Sequence, residues 1–367
     1  MPWYNMTSLV RRKRYHFHGA KQMLRMQRAL ITALTAGLSL AGWAAVTPPP
    51  KPSTSPEIVG DAVLALPKLT QAPELAAALK GVTEGPLVQR TANLKRKVVN
   101  DLVFVEGGTF DMGDWGPYVP KADSRPVHTV QLTGFYISRY KTTYAEFDTY
   151  TDATRTVRTA TSKYDQALRH PIVPAGALWQ RARDYCQWLG KLTGLPFDLP
   201  TEAQWEFAAR SRGQNFVFPT DNGNIDHGRN VPGSPDQFPL LSPIPDPTGT
   251  LGALRPYSIG LFPPNPLGLY DLSHDGEEWT LDWYAADYYA RSPKTDPKGP
   301  TTGTQKVARG WPNGDSLGGS GITTYRRARD PLVLRKDWDN PKKLVPASVV
   351  DSNWRCVANT TKPRPVF

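Results

Sequence analysis

Asp275, Glu277 and Glu278 place three carboxyl groups within four residues. Closely spaced acids are what general acid–base catalysis uses, one carboxyl protonated and its neighbour ionised. Nothing in the sequence supplies a cleft between them, so a solvated acidic turn is the plainer reading. Sulfur chemistry is restricted to Cys186 and Cys356. In an oxidising compartment an isolated pair is most simply one structural disulfide, closing a loop of about 170 residues and worth roughly 4–5 kcal/mol on the chain-entropy model. The alternative, a redox or metal-binding pair, lacks the close spacing that such chemistry uses. Of the six histidines, His16 and His18 lie near the N-terminus, and His128, His170, His227 and His274 are scattered. A lone histidine is more often a hydrogen-bonded or surface residue than a ligand. The chain contains no phosphate-binding loop or H-E-x-x-H pattern.

Helices and strands must position these groups, and the segment from Leu199 to Arg210 carries the strongest local signal. Thr201 can accept from the Gln204 N–H while Gln204 reaches back to the Thr201 N–H, a capping box that starts a helix. Trp205, Ala208 and Ala209 then share one stripe, as in an amphipathic helix. A second helix is predicted from Leu178 to Leu192, with Ala182, Cys186 and Leu189 on one face, ended by Gly194 and Pro196. Short strands are predicted at 103–105, 127–130 and 135–137, and residues 212–266 read as loop, long enough to be functional or tied down by an ion. Thirty glycines and 36 prolines among 367 residues fit a turn-rich fold better than a bundle.

The net charge of +11 misleads, because Arg11, Arg12, Lys13, Arg14, Lys21, Arg25 and Arg28 lie in the first 45 residues, which hold no acids. About +4 remains for the rest, no footprint for nucleic-acid binding. The basic leader followed by the apolar run Ala29–Val46 reads as a secretory signal peptide over 1–46, cleaved after Ala44 or Ala45, with translation starting at Met1, Met23 or Met26. This predicts a periplasmic or secreted protein, touching a membrane only if the segment stays uncleaved. The expected organisation continues with a Pro-rich linker and short helical pieces over 47–100, including 73–80, with Lys95–Lys97 on a solvated face. One domain over 101–361 and a tail at 362–367 complete it.

Leu199–Arg210 (LPTEAQWEFAAR) also resembles the LPTEAEWE(Y/F)AAR signature of the formylglycine-generating-enzyme, or sulfatase-modifying factor, family. Further segments resemble the family in order across roughly residues 101–360: Gly107–Gly113, Pro126–Val130, Asp184–Leu189, Phe262–Leu272, Arg309-Gly310 and Asn353–Val357. The resemblance implies a single α+β domain related to C-type lectins, loop-rich with little regular secondary structure. It also implies that Cys186 and Cys356 form the family's structural disulfide.

Family oxidases bind copper through two further cysteines, soft thiolates suited to Cu(I). The matching stretch, Ser320–Arg329, has no cysteine, so copper chemistry is not expected. Neither is the histidine–carboxylate iron centre of another branch, for want of an H-x-x-x-H-type pair. Calcium is expected, since relatives bind it at the turn matching Ser273, His274, Gly276 and Glu278, where the family's first motif tryptophan has become Glu277. A second site would use Asn230, Val231 and Asp246. In relatives the cysteine-bearing cleft recognises an extended peptide. Here it would be flanked by Trp279, Arg309, Trp311, Tyr325, Arg326, Arg327 and Arg329, residue types that dominate protein-binding surfaces. The competing reading is that these arginines pair internally with Asp and Glu. The resulting expectation is an exported, non-catalytic protein- or peptide-binding module, such as an accessory or immunity protein of a secreted toxin system. The alternative is a formylglycine-generating-type oxidase or other protein-modifying enzyme with an unrecognised site.

Overall fold

Local sequence signals set the ends of the helices that carry the core. In the computed structural model the capping box is formed: the Gln204 N–H donates to Thr201 Oγ1 at 3.1 Å, and the Thr201 N–H donates to Gln204 Oε1 at 3.0 Å. The structure describes residues 72–116, 122–161, 163–233, 241–247, 255–311, 321–332, 334–336, 340–346 and 351–363. The predicted signal segment, the Pro-rich linker and residues 364–367 of the tail lie outside the described residues, as does the Trp311 side chain.

Five helices of eight or more residues frame the fold, beside a four-residue helix at Lys163–Gln166: α1 (Ala72–Thr83), α2 (Leu87–Asn100), α3 (Tyr144–Thr154), α4 (Trp179–Thr193) and α5 (Glu202–Ala209). α4 ends as expected, with Gly194 in the left-handed region (φ 77°) and its N–H on the Gly190 carbonyl. One four-stranded sheet has the order β1-β4-β12-β5, built from Leu102–Val105, Phe135–Ser138, Val357–Ala358 and Phe197–Asp198. Its neighbours are antiparallel throughout. A second sheet has the order β11-β6-β7-β8, from Ser352–Asn353, Gly276–Trp283, Lys306–Trp311 and Arg326–Arg329. Two separate hairpins pair β2 (Gly108–Met112) with β3 (His128–Leu132) and β9 (Leu334–Lys336) with β10 (Leu344–Pro346). Among the described residues of the long predicted loop most are turn, bend or irregular, with an isolated bridge between His227 and Val231 and a helical residue at Leu241. Helices, small open sheets and extended loops make this the α+β fold that was expected.

Leu75, Leu79 and Val82 of α1 and Leu94 and Val98 of α2 belong to one buried cluster with Phe147, Tyr185, Cys186 and Trp354. Two expectations change. Lys97 is no part of a solvated face, for its ammonium is buried between Asp101 (2.7 Å) and Glu146 (2.9 Å). The helix α5 is not amphipathic either, because every residue from Glu202 to Ala209 is buried. Its polar side chains therefore face protein, and each needs a partner there.

Cys186 of α4 and Cys356, just before β12, form a disulfide across 170 residues, and both are buried. It ties the helical layer to the central strand pair of the first sheet. Replacing both cysteines by alanine is expected to lower stability by about 4–5 kcal/mol, read as a reduced urea midpoint under non-reducing conditions.

Candidate functional site

The second sheet carries six of the seven residues singled out for the groove, all but Tyr325, and its alternation sorts them onto two faces. Glu278 of β6 stands opposite Arg309 of β7, and Arg309 opposite Arg326 of β8. Side chains alternate along a strand, so this row faces one way, toward α5. Glu277, Trp279, Arg327 and Arg329 belong to the other face.

On the α5 side, Glu202 accepts from Arg309 Nη1 (2.7 Å), from Arg326 Nε and Nη2 (2.8 and 2.7 Å) and from the Tyr289 hydroxyl (3.1 Å). Glu206, one helical turn on, accepts from Arg309 Nη2 (2.8 Å), Arg210 Nη1 (3.0 Å) and the Gly113 N–H (3.0 Å). Arg309 also donates to the Thr323 carbonyl, and Arg326 to the Asp123 carbonyl at 2.9 Å. Nearby, Glu278 receives a two-pronged pair from Arg355 (2.8 and 2.8 Å) and the Trp205 indole N–H (3.1 Å). Burial pushes the Glu202 carboxyl up, but Arg326 and Arg309 overcome this and leave it below the ordinary range. Glu278 is held low in the same way by Arg355 against its burial.

These contacts correct the expected groove. Arg309 and Arg326 are 1% exposed and committed to Glu202 and Glu206, so they do not face a ligand. Trp279 is also buried, its indole N–H on the Ala177 carbonyl at 2.8 Å. The internal-pairing reading therefore holds for those arginines. What reaches solvent is Tyr325, Arg327 and Arg329, the last two bracketing the buried Glu277 carboxylate at 3.1 and 2.8 Å. Sequence reasoning missed Glu202, Glu206, Arg210, Arg355 and Asp282. The spacing of Glu202, Glu206 and Arg210, four residues apart, was the available signal, since it places them on one helix face.

The acids at 275–278 do not form a catalytic pair. Asp275 is buried and accepts from the Tyr257 N–H (3.2 Å), while Glu277 and Glu278 point to opposite faces of β6. His274 is buried 3.6 Å from Asp271, and burial holds its pKa down at about 3, so it is neutral.

The donors expected to hold calcium are differently engaged. The carbonyls of His274, Asp275 and Gly276 all accept from the Lys141 ammonium, and both Glu278 oxygens are bound as described. Ser273 is buried beside them. That arrangement does not fit a calcium ion. In the other loop, Asn230 Oδ1 accepts from the Asp226 N–H (2.8 Å) and its amide donates to Asp221 Oδ1 and the Asn224 carbonyl. The Val231 carbonyl accepts from the Gly228 N–H, and Asp246 lies 3.9 Å from the Arg255 guanidinium. Among the described residues, no three His, Cys, Asp or Glu side chains are grouped to hold a metal ion.

Fold and site together define an open-sheeted α+β domain built around buried glutamate–arginine pairs. Residues 88–331 match the sulfatase-modifying factor enzyme 1-like domain, and the chain belongs to that family. It is 31% identical over 260 residues to a formylglycine-generating enzyme of Streptomyces coelicolor, covering 57% of this chain and 77% of that one. The serine/threonine-protein kinase pkn1 of Chlamydia pneumoniae is 27% identical over 253 residues, covering 61% of this chain and 36% of the kinase. PvdO from Pseudomonas aeruginosa shares the fold, with a TM-score of 0.52 at 24% identity over 70% of this chain and 93% of that one.

Two outcomes test the electrostatic description. Glu202→Gln leaves Arg326 and Arg309 without a full counter-charge and is expected to cost about 3–5 kcal/mol in urea unfolding. Asp282, whose carboxylate accepts from the Glu202 N–H, has its pKa pushed up to about 7 by burial and by the Glu202 charge. A group raised on folding favours the native state below its unfolded pKa, and that contribution disappears as pH climbs to the folded value. Asp282→Asn should therefore gain stability relative to the parent as pH rises from about 4 to about 8, read as a growing gap between their melting temperatures.

Proposed function

We propose that this chain uses the sulfatase-modifying-factor fold as a binding module for a protein or peptide bearing acidic groups, and does not perform thiol-based oxidation. The observation that supports this is the fate of its sulfur. Only two cysteines occur in the chain, and Cys186 and Cys356 are joined to each other in the core. A Cu(I) centre requires accessible thiolates, and a buried disulfide offers none. With Arg309, Arg326 and Trp279 withdrawn, the ligand-facing groups of this reading are Tyr325, Arg327 and Arg329. Arginine binds carboxylates through a planar fork of donors, which favours an Asp- or Glu-rich partner. A role as an accessory or immunity protein, exported by way of the N-terminal leader, is the cellular setting this reading suggests.

A second reading is a protein-modifying oxidase, favoured by the identity to the Streptomyces coelicolor formylglycine-generating enzyme across 77% of its length. Incubation of the copper-treated protein with a cysteine-containing peptide separates the two. The binding reading expects no aldehyde product, and catalytic aldehyde formation overturns it. It further expects a labelled Asp/Glu-rich peptide to bind, with about tenfold or greater loss in an Arg327→Ala/Arg329→Ala double variant. Binding unaffected by that double variant would move the site elsewhere.

A further inference from the structure

The turn preceding β6 is built to gather carbonyl oxygens at one point. Asp275 (φ 62°) and Gly276 (φ 90°) are both left-handed. Gly276 must be glycine, since a Cβ there would lie 2.2 Å from Asn353 Oδ1. Two successive left-handed residues curl the chain so that three consecutive carbonyls, from His274, Asp275 and Gly276, converge. The group at their focus is the Lys141 ammonium, at 2.8, 2.7 and 2.8 Å.

Lys141 comes from the segment between β4 and α3, more than 130 residues away in sequence, and is fully buried. An ammonium has three N–H donors and no acceptor, and here each donor meets one carbonyl. Burial of such a charge is costly unless its bonds are completed, and this cage completes them. The Glu278 carboxylate, which the family resemblance offers to calcium, is bound on both oxygens by Arg355 and on one of them by Trp205. A calcium ion needs six to eight oxygens at about 2.3–2.6 Å. It would have to displace the lysine from the three carbonyls and complete its shell with water or a Glu278 oxygen beside Arg355.

We propose that the Lys141 ammonium is the resident cation of the 274–276 turn, a covalently attached replacement for the calcium ion that the family resemblance places there. The turn that aligns β6, and with it Glu277 and Glu278, is then held at any calcium concentration.

The test measures calcium stoichiometry by equilibrium dialysis on the full chain, as wild type, Lys141→Ala and Lys141→Met. Alanine empties the cage, whereas methionine fills it without a charge. The Ala variant is expected to bind one more equivalent of calcium than wild type, and to melt several degrees higher with calcium than with chelator. The Met variant and wild type should show neither change. Comparison between variants removes any contribution from the Asn230 loop. A folded Ala variant that gains no calcium overturns the proposal. If neither variant folds, the wild-type chain decides through its lysine ammonium signals in nitrogen-15 NMR. A slowly exchanging ammonium resonance unmoved by millimolar calcium supports the resident lysine, and its displacement by calcium overturns it.

Discussion

A helix buried on every side forces its charges to be matched from outside. That constraint, at α5, organises most of this molecule. Glu202 and Glu206 enter the core because Trp205, Ala208 and Ala209 must be buried, and a helix this short cannot bury one face alone while α5 is enclosed by β2, β3, β6 and β7. Once inside, each carboxylate needs several donors, and the donors come from distant segments: Arg210 from the end of the helix itself, Arg309 from β7 and Arg326 from β8. Replacing such pairs by well-packed apolar groups would often cost nothing, whereas removing one partner is severe. What the pairs supply here is placement. They fix the register of two strands against a helix that has only eight residues with which to hold them.

The same logic repeats on a smaller scale around β6. Glu278 is clamped by Arg355, next to the disulfide cysteine, and by Trp205 from α5. That places one carboxylate at the meeting point of both sheets and the helix. Arg355 also donates to the carbonyls of Ser138, Arg139 and Tyr270. The Cys186–Cys356 bond therefore anchors more than two strands. It fixes the residue whose guanidinium joins the first sheet to the second.

Local features of this arrangement were legible in the sequence. The Thr201–Gln204 capping box, the Gly194 stop, the strand near 103–105 and the isolated cysteine pair depend on neighbours within a few residues or on simple counting. The resemblance to the formylglycine-generating enzymes supplied the fold on the same footing. The site was legible only as a set of residues, without its orientation. Arg309, Arg326, Arg327 and Arg329 look alike in a sequence, and only the pleat of β7 and β8 decides which faces Glu202 and which faces solvent. Lys141 gave no signal at all, because its partners are three backbone carbonyls more than 130 residues away and carry no side-chain identity.

This distinction bears on what similarity to the oxidases means. The segments that carry the resemblance are those that hold the buried charges: LPTEAQWE with Glu202 and Glu206, the β7 segment with Arg309, and the closing segment with Arg355 and Cys356. Each has a structural task in this chain: it supplies or answers a charge buried in the core. Similarity along those segments is therefore similarity in the ion pairs that hold the scaffold together.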